Sequence, residues 1–225
     1  MKYISIDIET TGLDPSTCQI LSVGAIIEDT NNIQSYDDLP KFHVAIKHEQ
    51  ITGSPFAINM NRDLIESIVY YQTAQDQDEK NDLVHMTGMQ FVNKEDVSEL
   101  FFQFLYENGM VELPIDPGRP VKIVNGKSYP VLTSNIKATH ITVAGKNFGT
   151  FDKLFLEQLP RWKQVVKFRS RIIDPSILFV DWKNDESLPS LNDCKIRANI
   201  KGEVTHNALE DAWDVIQIMR KSYTK

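Results

Sequence analysis

"ISIDIETTGLD", Ile4 to Asp14, decides which fold this chain can adopt. A strand has a side-chain period of two, so Ile4, Ile6 and Ile8 point to one face while Ser5, Asp7 and Glu9 point to the other. The two carboxylates then stand side by side, with Cα atoms roughly 6.5 to 7 Å apart, twice the strand rise. That spacing lets both converge on one bound cation. A strand with one solvated face alternates in the same way, so the pair alone leaves both meanings open. Its place on the first strand and the Thr-Thr-Gly turn after it favour a site.

The 225 residues, 41% of them apolar, suit a single domain over 1–225 with a core of its own. The opening "MKYISIDIET" lacks the apolar stretch of a signal peptide, and no run is long enough to cross a bilayer. A soluble, cytoplasmic protein with no membrane partner is expected. Cys18 and Cys194 are too few and too far apart for a disulfide framework or a CxxC metal site, so both read as ordinary thiols. The net charge of −7 is unevenly spread: residues 76–116 hold ten acids and two bases, residues 141–175 seven bases and three acids. "RWKQVVKFRSR", Arg161 to Arg171, gathers five bases around Trp162 and Phe168. Bases interleaved with aromatics suit a phosphate backbone and stacked bases, although such a cluster also occurs as a plain solvated face.

Strand patterns at Tyr3–Glu9, Ile20–Ile27 and Phe42–Ile46 are joined tightly enough to predict an antiparallel meander. Residues 49–110 read as mostly helical, with "DLIESIVYYQ" and "EDVSELFFQFLYENG" the clearest segments and the acidic "DQDEKND" a solvated loop. An insertion is expected around 110–135, where "LPIDPGRP" precedes "VKIVNGKSYPVL" and Asn125-Gly126 marks a hairpin. From His140 onward, "HITVAG" and "RIIDPSILF" read as strands, and "FDKLFLEQL", "LPSLNDCKIRANI" and "HNALEDAWDVIQIMRKSY" as helices. The class is α/β: a mixed sheet, three antiparallel strands and then parallel ones, with helices packed on it.

Two more places look chemical. Asp152 opens a helix after a strand, with Asn147 five residues earlier; His206 precedes Asp211 by five. Singly, each acid has a plain structural meaning, as a helix cap or a surface charge. In order along the chain, Asp7-x-Glu9, Asn147-x-x-x-Phe151-Asp152 and His206-x-x-x-x-Asp211-Ala212 resemble the three motifs of the DEDDh exonucleases. That family includes the proofreading subunit of bacterial replicative polymerase, ribonuclease T and oligoribonuclease. "LPSLNDC" is also similar to the proofreading subunits; residues near 48 to 135 are the least typical, and the hairpin has no counterpart.

The resemblance implies a ribonuclease H-like fold with a five-stranded mixed sheet. It implies that Asp7, Glu9, Asp152 and Asp211 bind two divalent cations, Mg²⁺ or Mn²⁺, hard ions that take oxygen ligands. His206, whose type titrates near neutral pH, is then the general base. Thr10, Thr11, Gly12 and Leu13, with Asn147 and Phe151, are the implied substrate contacts, Leu13 as a wedge against a base. The implied activity is 3′–5′ hydrolysis of single-stranded 3′ ends to nucleoside 5′-monophosphates, with DNA slightly favoured over RNA. Because the chain stops directly after the last helix, a free-standing nuclease is expected. A phosphodiesterase of short oligonucleotides and a non-catalytic nucleic-acid-binding module on the same fold remain alternatives. A pure binder, however, has no use for four converging acids that repel phosphate.

Overall fold

The computed structural model describes residues 1–111, 121–124, 127–130 and 139–224. In chain order it contains β1 (Lys2–Thr10), β2 (Ile20–Asp29), β3 (Lys41–Lys47), α1 (Pro55–Met60), α2 (Arg62–Thr73), α3 (Gln77–Thr87), β4 (Gln90–Asn93), α4 (Val97–Glu107), β5 (Val121–Val124) and β6 (Lys127–Pro130). There follow β7 (Thr139–Ile141), β8 (Val143–Ala144), α5 (Asp152–Leu156), α6 (Trp162–Val165), β9 (Val166–Phe168), a 3₁₀ turn (Pro175–Leu178), α7 (Leu191–Arg197) and α8 (Ala208–Tyr223).

The alternation in β1 sorts its faces as the sequence requires. Ile4, Ile6 and Ile8 enter the main core with Val23, Phe101 and Trp162. Tyr3, from the opposite face, packs with Ile26 against Ala212, Val215 and Ile216 of α8. The main sheet is five-stranded, ordered β4-β3-β2-β1-β8. β1, β2 and β3 form the antiparallel meander. β8 joins β1 in parallel through only two pairs, Ile4↔Val143 and Ser5↔Ala144. The mixed α/β class is thus found, with parallel pairing at both edges.

Three local expectations are corrected. β4 is a strand parallel to β3 inside the stretch read as helical; its four residues are too few to show a period against the helices around them, and a Tyr71–Phe91 ring stack at 4.4 Å fixes α2 over it. The acidic "DQDEKND" is not a loop: Asp76 caps α3 by accepting from the Asp78 N–H, and Asp78 and Glu79 lie in the first turn, where acids offset the helix dipole. "RIIDPSILF" contributes only a single bridge, Ala144↔Ile173, before Pro175 opens the 3₁₀ turn. The parallel partner of β7 is instead β9, from within the basic segment.

Both strands of the predicted hairpin are present, β5 pairing antiparallel with β6. The turn at residues 125–126, like most of the expected insertion, lies outside the described residues. Both cysteines are free thiols, and among the described residues no helix is long and apolar enough to cross a membrane.

Candidate active site

Three elements bring the predicted acids to one place. β1 carries Asp7 and Glu9. α5 begins with Asp152, buried where its helix meets the sheet. α8 carries Asp211 one turn inside its start, where Asn207 caps the helix by accepting from the Leu209 and Glu210 N–H groups. Glu9, His206 and Asp211 each offer a ligand atom, and these atoms lie within 4.8 Å of one another. Asp7 and Asp152 join them electrostatically. Burial, then the charges of Asp152, Asp211 and Glu9, push the Asp7 carboxyl well above the carboxylate range.

The other acids respond in the same sense. Burial raises Glu9 to about 8, helped by Asp211 and Asp152 and opposed by a hydrogen bond with Asn61. Burial raises Asp152 to about 7 against the backbone N–H groups of Asp152 and Ile8. Asp211 also reaches about 7, through burial and the Asp214 charge, opposed by Lys195 and the Thr205 N–H. Clustered carboxyls desolvated together resist ionisation. One atom completes the picture: Asp211 Oδ1 is buried with no hydrogen-bond partner. Leaving such an oxygen unpaired costs on the order of 1–3 kcal/mol, more when charged. A hard divalent cation fits this donor set, because carboxylate oxygens are its preferred ligands and its charge would neutralise the cluster.

Residues outside the motifs build this geometry. Gly24 of β2 lies opposite Asp7 in the sheet, and a Cβ there would fall 2.3 Å from the backbone of Ala208 and Leu209. The absent side chain lets the start of α8 rest on the sheet beside Asp7. An isolated glycine within a strand pattern signals such close approach; "ILSVGAIIED" carried that signal. Asn61, also buried, donates from Nδ2 to the Thr10 and Ala57 carbonyls at 3.2 Å. Nothing in its local sequence singles it out.

The His206 loop is pinned from below. Lys195, buried in α7, donates to Asp214 Oδ2 at 2.5 Å and to the Glu203 carbonyl at 3.1 Å. His206 itself is exposed, with a left-handed backbone (φ 54°). Beside it opens a cleft of about 530 Å³ lined by Met60, Asn61, Leu64, Met86 and Glu210.

The implied substrate contacts divide. Leu13 is 83% exposed, free to meet a ligand and not part of the core. Thr10 donates to the Gly12 carbonyl and the buried Thr11 hydroxyl accepts from the Gln19 N–H, so both shape the turn. Gly12 is buried within it against Cys18. Asn147 is exposed, its N–H donating to Asp174 at 3.1 Å, and Phe151 packs against Phe155. In the basic segment the aromatics face inward: Trp162 is 1% exposed, stacked on Phe101, and Phe168 sits edge-on to Phe148. Neither aromatic is presented for stacking with bases.

With sheet order and site in view, the chain has the fold of the DEDDh-type 3′–5′ exonucleases, a ribonuclease H-like α/β class. Among solved structures it is similar to E. coli exonuclease I in complex with a dT13 oligonucleotide, with TM-score 0.55, 13% identity, and coverage of 99% of this chain but 41% of that one. It is similar to the nuclease domain of 3′hExo, a DEDDh family member bound to rAMP, with TM-score 0.55, 11% identity, and coverage of 98% and 90%. A third, cell-death related nuclease 4, gives TM-score 0.53, 12% identity, and coverage of 98% and 62%. The chain thus spans well under half the length of E. coli exonuclease I. No protein-family model matches it, and no curated protein matches its sequence.

Proposed function

We propose that this protein is a metal-dependent 3′–5′ exonuclease acting on single-stranded ends. The observation that carries the reading is the meeting of Glu9, Asp211 and His206 within 4.8 Å, with the charges of Asp7 and Asp152 close enough to act on the same cluster. That the structural neighbours are nucleases supports the same reading. Asp7, Glu9, Asp152 and Asp211 would hold two divalent cations, Mg²⁺ or Mn²⁺, which when bound supply Lewis acidity and neutralise charge on the phosphate.

The remaining work falls to the chain. The imidazole of His206, exposed at the cleft, accepts the proton of the attacking water. Attack at phosphorus breaks the bond to the 3′ oxygen of the preceding nucleotide, which leaves as an alkoxide and takes a proton from solvent, and frees a nucleoside 5′-monophosphate. Leu13, standing out from the turn after β1, contacts the terminal base. Lys195 keeps the His206 loop in place through the Glu203 carbonyl.

A time course on matched 5′-labelled DNA and RNA 20-mers, with and without Mn²⁺, tests the reading. Stepwise shortening from the 3′ end that requires metal is expected; no shortening of either polymer refutes it. The same assay on a dinucleotide separates an exonuclease from a phosphodiesterase of short oligonucleotides.

A further inference from the structure

The basic segment left over from the site provides a surface of its own. In β9 and the residue after it, Val166 is buried, Lys167 exposed, Phe168 partly buried in the core and Arg169 exposed. The strand period has sorted aromatics inward and bases outward. β9 pairs in parallel with β7, which sets exposed His140 beside Lys167. The Arg169 N–H continues the ladder by donating to the Ile141 carbonyl at 2.8 Å.

Beyond Arg169 the register slips. Ile141 pairs with Phe168 but Ala144 with Ile173, so two extra residues bulge between them. Arg171 lies exposed in that bulge. The ladder then resumes, with Ile173 donating to Val143 and Gly145 to Ile173, each at 3.0 Å. It ends where Asp174 accepts from the Asn147 N–H, in the turn that leads to Asp152. The strand path beside these bases thus continues through β8 into the turn that precedes Asp152. At about 3.3 Å per residue, residues 140 to 144, spanning β7 and β8, cover roughly 13 Å, longer than a single nucleotide.

Charge pairing distinguishes these bases from their neighbours. Lys153 and Lys163 both pair with Glu157, at 2.7 and 3.5 Å, and Lys146 lies 3.8 Å from Asp174. Among the described residues, Lys167, Arg169 and Arg171 have no acidic partner. Three cations left unpaired on one edge of a chain with net charge −7 complement a polyanion. With the aromatics turned inward, the contact is to phosphate and carries no base preference.

We propose that the edge formed by His140, Lys167, Arg169 and Arg171 is a track for the phosphate backbone of single-stranded nucleic acid, holding nucleotides upstream of the 3′ end under cleavage. The proposal rests on the exonuclease reading for its biological meaning, but its binding test stands apart from turnover.

Lys167→Gln, Arg169→Gln and Arg171→Gln together, placed in an Asp211→Asn protein to prevent cleavage, are compared with Asp211→Asn alone by fluorescence anisotropy on a dT20 oligomer. Each phosphate contact to a single strand contributes about 0.7 to the salt slope. Losing three should make the affinity of the parent fall roughly 20-fold further than that of the triple variant between 50 and 200 mM salt. An unchanged slope overturns the track. In the otherwise unaltered enzyme, the triple variant should raise KM for the 20-mer with kcat unchanged and leave dinucleotide turnover alone. A dinucleotide defect equal to the 20-mer defect also overturns it. If no oligomer is hydrolysed at all, the exonuclease reading fails while the salt slope still decides the track. The single variant Arg169→Gln, expected to lose about a third of the slope difference, covers the case in which the triple variant folds poorly.

Discussion

Asp211 and Asp214 lie three residues apart on α8 and are equally buried, each 6% exposed, yet their surroundings are opposite. Asp214 meets the Lys195 ammonium and accepts from Gln217 at 3.2 Å. Asp211 faces other carboxylates and keeps one oxygen with no partner. Burial pushes both carboxyls upward; Lys195 opposes this directly at Asp214 and only from a distance at Asp211. One turn of helix thus separates an acid whose charge is answered by protein from one whose charge is not. A buried acid left unanswered marks a site where a ligand supplies the missing charge.

The sharpest way to break this contrast is to make the same substitution twice. Asp211→Asn should abolish divalent-cation-dependent release of mononucleotides while the protein stays folded by circular dichroism; retained turnover would remove Asp211 from the site. His206→Ala should lower kcat roughly 10²- to 10⁴-fold, the usual worth of a general base. A loss below tenfold in a steady-state assay argues against proton transfer by this imidazole. Asp214→Asn acts on the other member of the pair. It strands the Lys195 ammonium and should cost about 3–5 kcal/mol in a urea titration, whereas Asp211→Asn should leave stability equal or raised in chelator. Equal destabilisation by both would erase the distinction.

A further effect is expected on pH. Glu9, Asp152 and Asp211 titrate near 8, 7 and 7 in the fold, but near 4 when unfolded. Between those values the folded chain binds more protons, so its stability falls as pH rises from about 4 to about 8. The melting temperature in chelator should fall across pH 5 to 8 and recover when Mn²⁺ is added. A melting temperature that rises over this range would contradict the clustering of these acids.

Much of this was legible in the linear chain because it depends on period and order. The isoleucine alternation of β1, the runs of β2 and β3, and the amphipathic helices α2, α4 and α8 each repeat long enough to be recognised. The five candidate residues were picked out through the resemblance of three spaced motifs, and three of them, Glu9, His206 and Asp211, have ligand atoms within 4.8 Å of one another. What escaped reading depends on tertiary context. β4 is four residues long and has meaning only beside β3. α3 is polar on most sides, and its acids resemble those of a loop until Asp76 is seen as its cap. Lys195 reads as a surface residue; only the fold shows it buried against Asp214.

The narrow approach at Gly24 carries a last consequence. The helix that rests there, α8, begins about 200 residues after β1 along the chain, so Asp211 can reach the acids of β1 only after that whole stretch has been made. During translation, when nascent protein and messenger share the ribosome, the growing chain would hold its first two acids without their partners. The carboxylate cluster therefore stays incomplete until α8 has been synthesised, a timing set by the order of elements along the chain.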